Sequence, residues 1–347
     1  MLSDCDEHYA AKGLCPSRVS IVLPRNLCLV LHPYALGACA KALVSRTDSL
    51  QTGVMYVVHG SRIPAGLSQL SITKEPRLTH PLFSLAGKVA MVSGAASGMG
   101  RQMSLGFAEA GADVMLLDIN VAGAEKTASE IKAMGRRAIA ANCDVSDVAQ
   151  IREIFQLLDR EFGRIDVLGN VAGEGKVGAP EEMPVEVVQE VFQNLVFGRF
   201  VMCQEAGRRM LKQGKGSIIN FGSIGGWNSL GRGHMPYGMS MAAVIHMTKE
   251  LSTQWAARGV RVNCILPAQV MNAGLAARIE ATPEVMNTFI GGIPMHRLGQ
   301  PEEIKGPAIF LASDAASFVT GMALPMDGGN LAMNAGGTYP GSPRVSG

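Results

Sequence analysis

The sequence is poor in features that mark several large protein classes. Only 5% of its 347 residues are aromatic, two of them tryptophan, and 17% are charged. The 31 basic and 29 acidic residues nearly cancel to a formal +2, so there is no broad electrostatic footprint for nucleic acid or an anionic membrane. Small molecules or other proteins are the expected partners. There is no CxxC pair. The seven cysteines, an odd number, stand at positions 5, 15, 28, 39, 143, 203 and 264. They read as reduced, buried small hydrophobes, which points to a cytoplasmic setting and away from disulfides or a metal site. No clean apolar run is long enough to span a bilayer. The acidic start MLSDCDEHY lacks the basic character of a secretory signal or transit peptide.

What the chain does have is glycine, 41 residues of it, spaced through a composition that is 47% hydrophobic. From Leu85 onward, strand-like and helix-like segments alternate, punctuated by Gly, Asp or Asn. KVAMVSG, ADVMLLD, RAIAANCDV, IDVLGNVAG, GSIINFGS, VRVNCILPA and GMALPMDGG read as strands. The stretch EVVQEVFQNLVFGRFVMCQEAGRRMLKQ reads as one long helix, and QPEEIKGPAIFLASDAA as a late one. Six or seven strands in one alternating series predict an α/β fold: a three-layer, doubly wound parallel sheet of Rossmann type, in a single domain over residues 81–335. Residues 1–80 lack this rhythm and are expected to be an appended, loosely ordered extension. Met55 offers an alternative start, and residues 336–347 read as a flexible tail.

VSGAASGMG, residues 92–100, sets Gly94, Gly98 and Gly100 between the first strand and its helix. Such a turn needs glycine where no Cβ fits and where backbone must approach a pyrophosphate, whose charge then faces the helix N-terminus at Ser97, Gly98, Met99 and Gly100. Asp118 ends the second strand 18 residues after Gly100, where a carboxylate accepts hydrogen bonds from an adenosine ribose. An acid there repels a 2′-phosphate, so NAD(H) is expected over NADP(H). Asp144 and Val145, ending the third strand, are candidates to flank the adenine.

These residues resemble the classical short-chain dehydrogenase/reductase family over roughly Leu85 to Gly329. SGAASGMG is similar to the family's TGxxxGxG, with Ser93 for Thr. GNVAG resembles its NNAG element, INFGS the strand ending in a catalytic Ser, VRVNCILPA the strand ending in Pro-Gly, and PMDGG the last strand. The resemblance adds Asn170, Ala172, Gly173, Tyr237 and Pro267 to the expected cofactor site. It also implies Tyr237 as general acid/base and Ser223, 14 residues earlier, as the residue orienting the substrate oxygen. In the family a Lys four residues after the Tyr holds the nicotinamide ribose and favours the phenolate, and an Asn on the preceding helix joins a proton relay.

Here the Lys position is Met241. A cation 4–5 Å away stabilises a phenolate by roughly 4 kcal/mol at an effective dielectric near 20, and a thioether supplies none of that. The relay Asn falls on Leu195, with Asn194 one residue early and turned about 100° away unless a local bulge rotates the helix. Val171 and Ala268 are further departures. Two readings stay open: an NAD(H)-dependent oxidoreductase interconverting a secondary alcohol and a ketone, or a catalytically impaired dinucleotide-binding subunit. The resemblance further implies a homotetramer or homodimer packed through residues 184–212 and 236–258. The segment 272–300 is expected to form a substrate lid, its Met, Phe and Ile residues favouring a moderately apolar small molecule.

Overall fold

The apolar segments between the glycine-rich turns form a seven-stranded sheet: β3 (Val89–Ser93), β4 (Asp113–Asp118), β5 (Ala138–Asn142), β6 (Val167–Asn170), β7 (Gly216–Phe221), β8 (Val260–Pro267) and β9 (Ala323–Met326). Their spatial order is β5-β4-β3-β6-β7-β8-β9, and every neighbouring pair is parallel. The computed structural model describes residues 19–23, 27–31 and 80–333. The chain divides into two units, Met1–Thr79 and His80–Gly347. In the first, β1 (Val19–Leu23) pairs antiparallel with β2 (Leu27–Leu31). The remainder of the extension read over 1–80, the alternative start and the 336–347 tail lie outside the described residues.

Helices cover both faces of the large sheet, which is why its strands read as continuous apolar runs rather than alternating ones. On one face, Ala90 and Val92 pack with α1 (Gly98–Glu109), α2 (Val121–Ala133) and α9 (Lys305–Ala312). On the other, Val89 and Met91 pack with α3 (Val148–Glu161) and α5 (Arg199–Gln213). Phe107 and Phe155 are fully buried in these two layers, each burial contributing roughly 1.5–3 kcal/mol. α6 (Met235–Trp255) lies beside β8, and α7 (Ala273–Ala281) and α8 (Glu284–Ile290) fall in the expected lid. Successive connections run outward from β3 in one direction and from β6 in the other. The crevice at the carboxyl ends of these two strands is the topological switch point, where ligands bind in such sheets.

Two helices differ from the sequence reading. The long helix is α4 (Val185–Phe192), a π-helical turn at Gln193–Gly198, and then α5. The cause is visible at Gly198, where a Cβ would lie 1.9 Å from the carbonyl oxygen of Val145. The loop after β5 presses into the helix at that point, and Gln193 Nε2 donates to Ser146 O at 2.8 Å, so the helix widens by a residue. The late helix shrinks to α9, flanked by 3-10 turns at Pro301–Ile304 and Asp314–Ala316. Among the described residues no helix is long and apolar enough to cross a membrane.

Candidate active site

The turn after β3 is built for close backbone approach. Gly94 and Gly98 have φ of +72° and +52°, in the left-handed region that favours glycine. A Cβ on Gly100 would sit 2.1 Å from Gly94 O, so no other residue closes this turn without moving it. Ser97, extended at the N-cap of α1, makes no side-chain cap, which leaves the first N–H groups of the helix without a cap from that side chain. Met99 is half-buried against the core. Asp118 Oδ2 accepts from Ala96 N at 2.9 Å and Oδ1 from Asn120 N at 2.8 Å. A carboxylate has about four lone-pair sites, so two remain for ribose hydroxyls. The helix N-terminus without a side-chain cap and the tight glycine turn suit a dinucleotide diphosphate.

The ends of β5, β6 and β8 complete this edge. Asp144 Oδ1 accepts from the Ser146 N–H at 2.8 Å and hydroxyl at 2.7 Å, while Val145 is buried. Ser93 Oγ accepts from Val171 N at 3.0 Å and Ala172 N at 3.1 Å, tying β3 to the segment after β6. Gly173 follows with φ +129°, and Pro267 closes β8. Asn170, expected at the cofactor edge, instead turns inward. Its Nδ2 donates to Arg199 O at 3.1 Å and Asn220 Oδ1 at 3.2 Å, and its own Oδ1 is buried without a partner. It braces β6 against β7 and α5.

Ser223 sits at the end of β7 in extended conformation, and its Oγ accepts from Gly225 N at 3.0 Å. The 3-10 turn that follows, Ile224–Gly226, presses on α6, since a Cβ on Gly226 would lie 2.5 Å from the carbonyl carbon of Met241. Tyr237 stands in the first turn of α6, half-buried, its ring against Gly175 and edge-on to His234 with centroids 6.2 Å apart. A cavity of about 560 Å³ opens beside it, lined by Gly225, Leu230, Arg232, His234, Met235 and Met239 among others. Burial, and then the charges of Arg232 and Arg278, push the His234 imidazole below its usual range despite an opposing backbone hydrogen bond at Arg232.

Met241, one turn after Tyr237, is buried in an apolar cluster with Val191, Leu195, Ile224 and Val244. The bulge that could have swung Asn194 toward it exists, but the residue it buries there is Leu195. Asn194 faces the loop after β6 instead, accepting from Glu174 N at 3.2 Å and donating to Glu174 O at 3.3 Å. Neither polar partner expected behind Tyr237 is therefore present on its own helix or at the relay position.

A cation nevertheless reaches this place from α5. Arg199 is 2% exposed. Its Nη1 donates to Phe221 O and lies 3.8 Å from Met241 Sδ, and its Nη2 donates to Val171 O and Ala172 O, both at 3.1 Å. Nε is buried without a partner. Around it lies a polar network of Asn170, Asn220, Cys203 and Thr248, with Asn220 Nδ2 donating to Thr248 Oγ1 at 3.0 Å. Sequence reasoning missed Arg199. The available signal was a charge on the buried stripe that carries Val191, Leu195, Met202 and Cys203.

Comparison with known proteins places the chain. Residues 94–330 match the family model described as enoyl-(acyl carrier protein) reductase. A D-threitol dehydrogenase of Mycolicibacterium smegmatis is 37% identical over 71% of this chain and 94% of its own length. A short-chain type dehydrogenase/reductase from Mycobacterium marinum superposes with a TM-score of 0.68 at 34% identity, covering 72% of this chain and 97% of that one. A gluconate 5-dehydrogenase from Burkholderia cenocepacia, solved with NADP and tartrate, gives 0.69 at 30% identity over 73% and 99%. The chain belongs to the short-chain dehydrogenase/reductase family, whose members named here are oxidoreductases acting on CH–OH groups.

Proposed function

We propose that the chain is an NAD(H)-dependent dehydrogenase interconverting a secondary alcohol and a ketone, with Tyr237 as general acid/base and Ser223 orienting the substrate oxygen. The observation that carries this reading is that the turn after Ser223 packs directly on the helix bearing Tyr237, at the same sheet edge as the uncapped turn and Asp118. A bound nicotinamide dinucleotide supplies the hydride chemistry. The protein's part is to hold the substrate carbon in line, to exclude water beneath the lid, and to move one proton at the Tyr237 oxygen.

Asp118 supports NAD(H) over NADP(H), because its carboxylate repels a 2′-phosphate. The support for that preference is Asp118 alone, since a relative at 30% identity was solved with NADP. Met235, Met239 and Leu230 beside the site suit a moderately apolar substrate. Exposed Phe197 and Phe200 suit a homodimer or tetramer, and the buried free thiols of Cys143, Cys203 and Cys264 suit the reducing cytoplasm. A second reading, a dinucleotide-binding subunit without turnover, draws on the apolar pair Met241 and Leu195. The test is a panel of secondary alcohols, from polyols to apolar cyclic alcohols, with NAD or NADP at pH 7 to 10. Reduced cofactor should accumulate above a Tyr237→Phe control. Dinucleotide uptake with no turnover on any substrate would favour the second reading.

A further inference from the structure

A buried guanidinium without a carboxylate is unusual, because desolvating a charge is expensive unless an opposite charge repays it. Each hydrogen-bond partner of Arg199 is neutral: three backbone carbonyls and, more weakly, a thioether. Burial alone pulls the guanidinium below its ordinary value. Three titratable groups act against that pull, Tyr237 most strongly, then Cys264 and Cys203. Burial pushes both thiols up to about 12, so they stay neutral at working pH and provide no counter-charge. Of the elements packed around it, the loop after β6 also carries Glu174, but that residue is exposed and tied to Asn194 through its backbone. Met241, whose Sδ lies 3.8 Å from Nη1, stands one turn after Tyr237 on α6, and Tyr237 packs against the same cluster, so Tyr237 is the group on this side of the cation able to turn negative.

We propose that Arg199 is the fixed positive charge that supports Tyr237 during proton transfer, delivered from α5 because Met241 on α6 cannot carry it. This rests on the dehydrogenase reading above. In the reduction direction the Tyr237 O–H bond breaks as a new O–H bond forms on the substrate oxygen, leaving a phenolate; the reverse step returns the proton. The three carbonyl bonds of the guanidinium hold it immobile, so little reorganisation accompanies each turnover. Arg199 touches no reacting atom in this arrangement and is a positioning residue, acting through the Tyr237 oxygen.

The experiment uses the full chain with Arg199→Met, Arg199→Lys and the exchange variant Arg199→Met/Met241→Lys, each with Tyr237→Phe as reference. Two readouts are taken: the pH profile of kcat/KM, and a difference absorbance titration of the Tyr237 phenol in dinucleotide-free protein. Arg199→Met should move both curves to higher pH by at least about one unit, which is about a tenfold loss of kcat/KM at pH 7 that recovers as pH rises. Arg199→Lys and the exchange variant should return both toward wild type. The proposal is overturned if Arg199→Met lowers activity equally at every pH with an unmoved phenol curve, as a purely structural clamp would. Should Arg199→Met not fold, an exchange variant whose curves match neither wild type nor Arg199→Lys overturns it equally. If wild type has no turnover, the dehydrogenase reading fails, while the phenol titration still decides the role of Arg199.

Discussion

Restoring the lysine that the family resemblance leads one to expect should harm this protein. Met241→Lys would put an ammonium near the present Sδ position, 3.8 Å from Arg199 Nη1. Two unit charges at that distance repel by about 4 kcal/mol at an effective dielectric near 20, before any desolvation of the new ammonium. The penalty has a ceiling, because the lysine can give up its proton instead. Leaving it neutral costs about 1.4 kcal/mol for every pH unit below its ordinary value near 10.4, or about 4–5 kcal/mol at pH 7 and about 2 at pH 9. Repulsion plus desolvation exceed that ceiling, so the neutral form should prevail in the folded state. The sign follows: the folded-state value lies below the unfolded one, so the unfolded chain binds the proton more readily and stability falls as pH drops. Urea unfolding of Met241→Lys and wild type at pH 7 and pH 9 measures both numbers. Adding Arg199→Met should recover about 3 kcal/mol or more at pH 7. A Met241→Lys protein as stable as wild type at pH 7, with no slope toward pH 9, would refute the placement of a charged guanidinium at this spot.

The remaining expectations concern the rest of the site. Gly100→Ala drives a Cβ into Gly94 O, 2.1 Å away, and should weaken dinucleotide binding at least about tenfold by calorimetry while leaving a folded protein. Asp118→Ser removes two anchors on the turn and, on the proposed cofactor site, the charge beside the adenosine ribose, and should shift the NADP-to-NAD ratio of kcat/KM upward by about tenfold or more. His234 titrates below its ordinary value in the fold, so the unfolded state takes up the proton first as pH falls. Stability should decline below about pH 6.5, by less than about 1.4 kcal/mol per unit for this partly exposed group, and His234→Asn should flatten that decline in denaturant titrations. Arg232, which lines the cavity, and Arg278 repel each other there. A substrate bearing a carboxylate should therefore show higher kcat/KM than its amide analogue, with the advantage lost in Arg232→Gln.

The sheet was legible because its signals are local and redundant: apolar runs closed by turn residues, mainly buried in the five inner strands and partly exposed in the edge strands β5 and β9. Gly94, Gly98 and Gly100 were legible for a related reason, since a backbone that must turn left-handed or touch another carbonyl accepts one residue type. The π-helical turn was not, because its cause lies about fifty residues away, in the loop at Val145 that forbids a side chain on Gly198. Asn170 likewise looked like an edge residue by motif, yet its partners Arg199 and Asn220 come from later elements, and nothing near it in sequence announces them.

The largest gap was the charge behind Tyr237, and its reason is geometric. Helical spacing identifies which residues share a face of one helix, so it finds an absence at Met241 without saying whether another element fills it. Arg199 arrives from α5, the neighbouring helix in the same layer, threaded between the carbonyls of Phe221, Val171 and Ala172. Met241, against the guanidinium, and Leu195, packed in the same cluster, then have a physical role: they exclude water and a second cation, both of which would weaken the field of Arg199. On this view the two apolar substitutions and the buried arginine are one change. An ammonium at position 241 and a guanidinium at 199 are mutually exclusive by about 4 kcal/mol, so a site holding Arg199 accepts an apolar residue at 241 and gains from it.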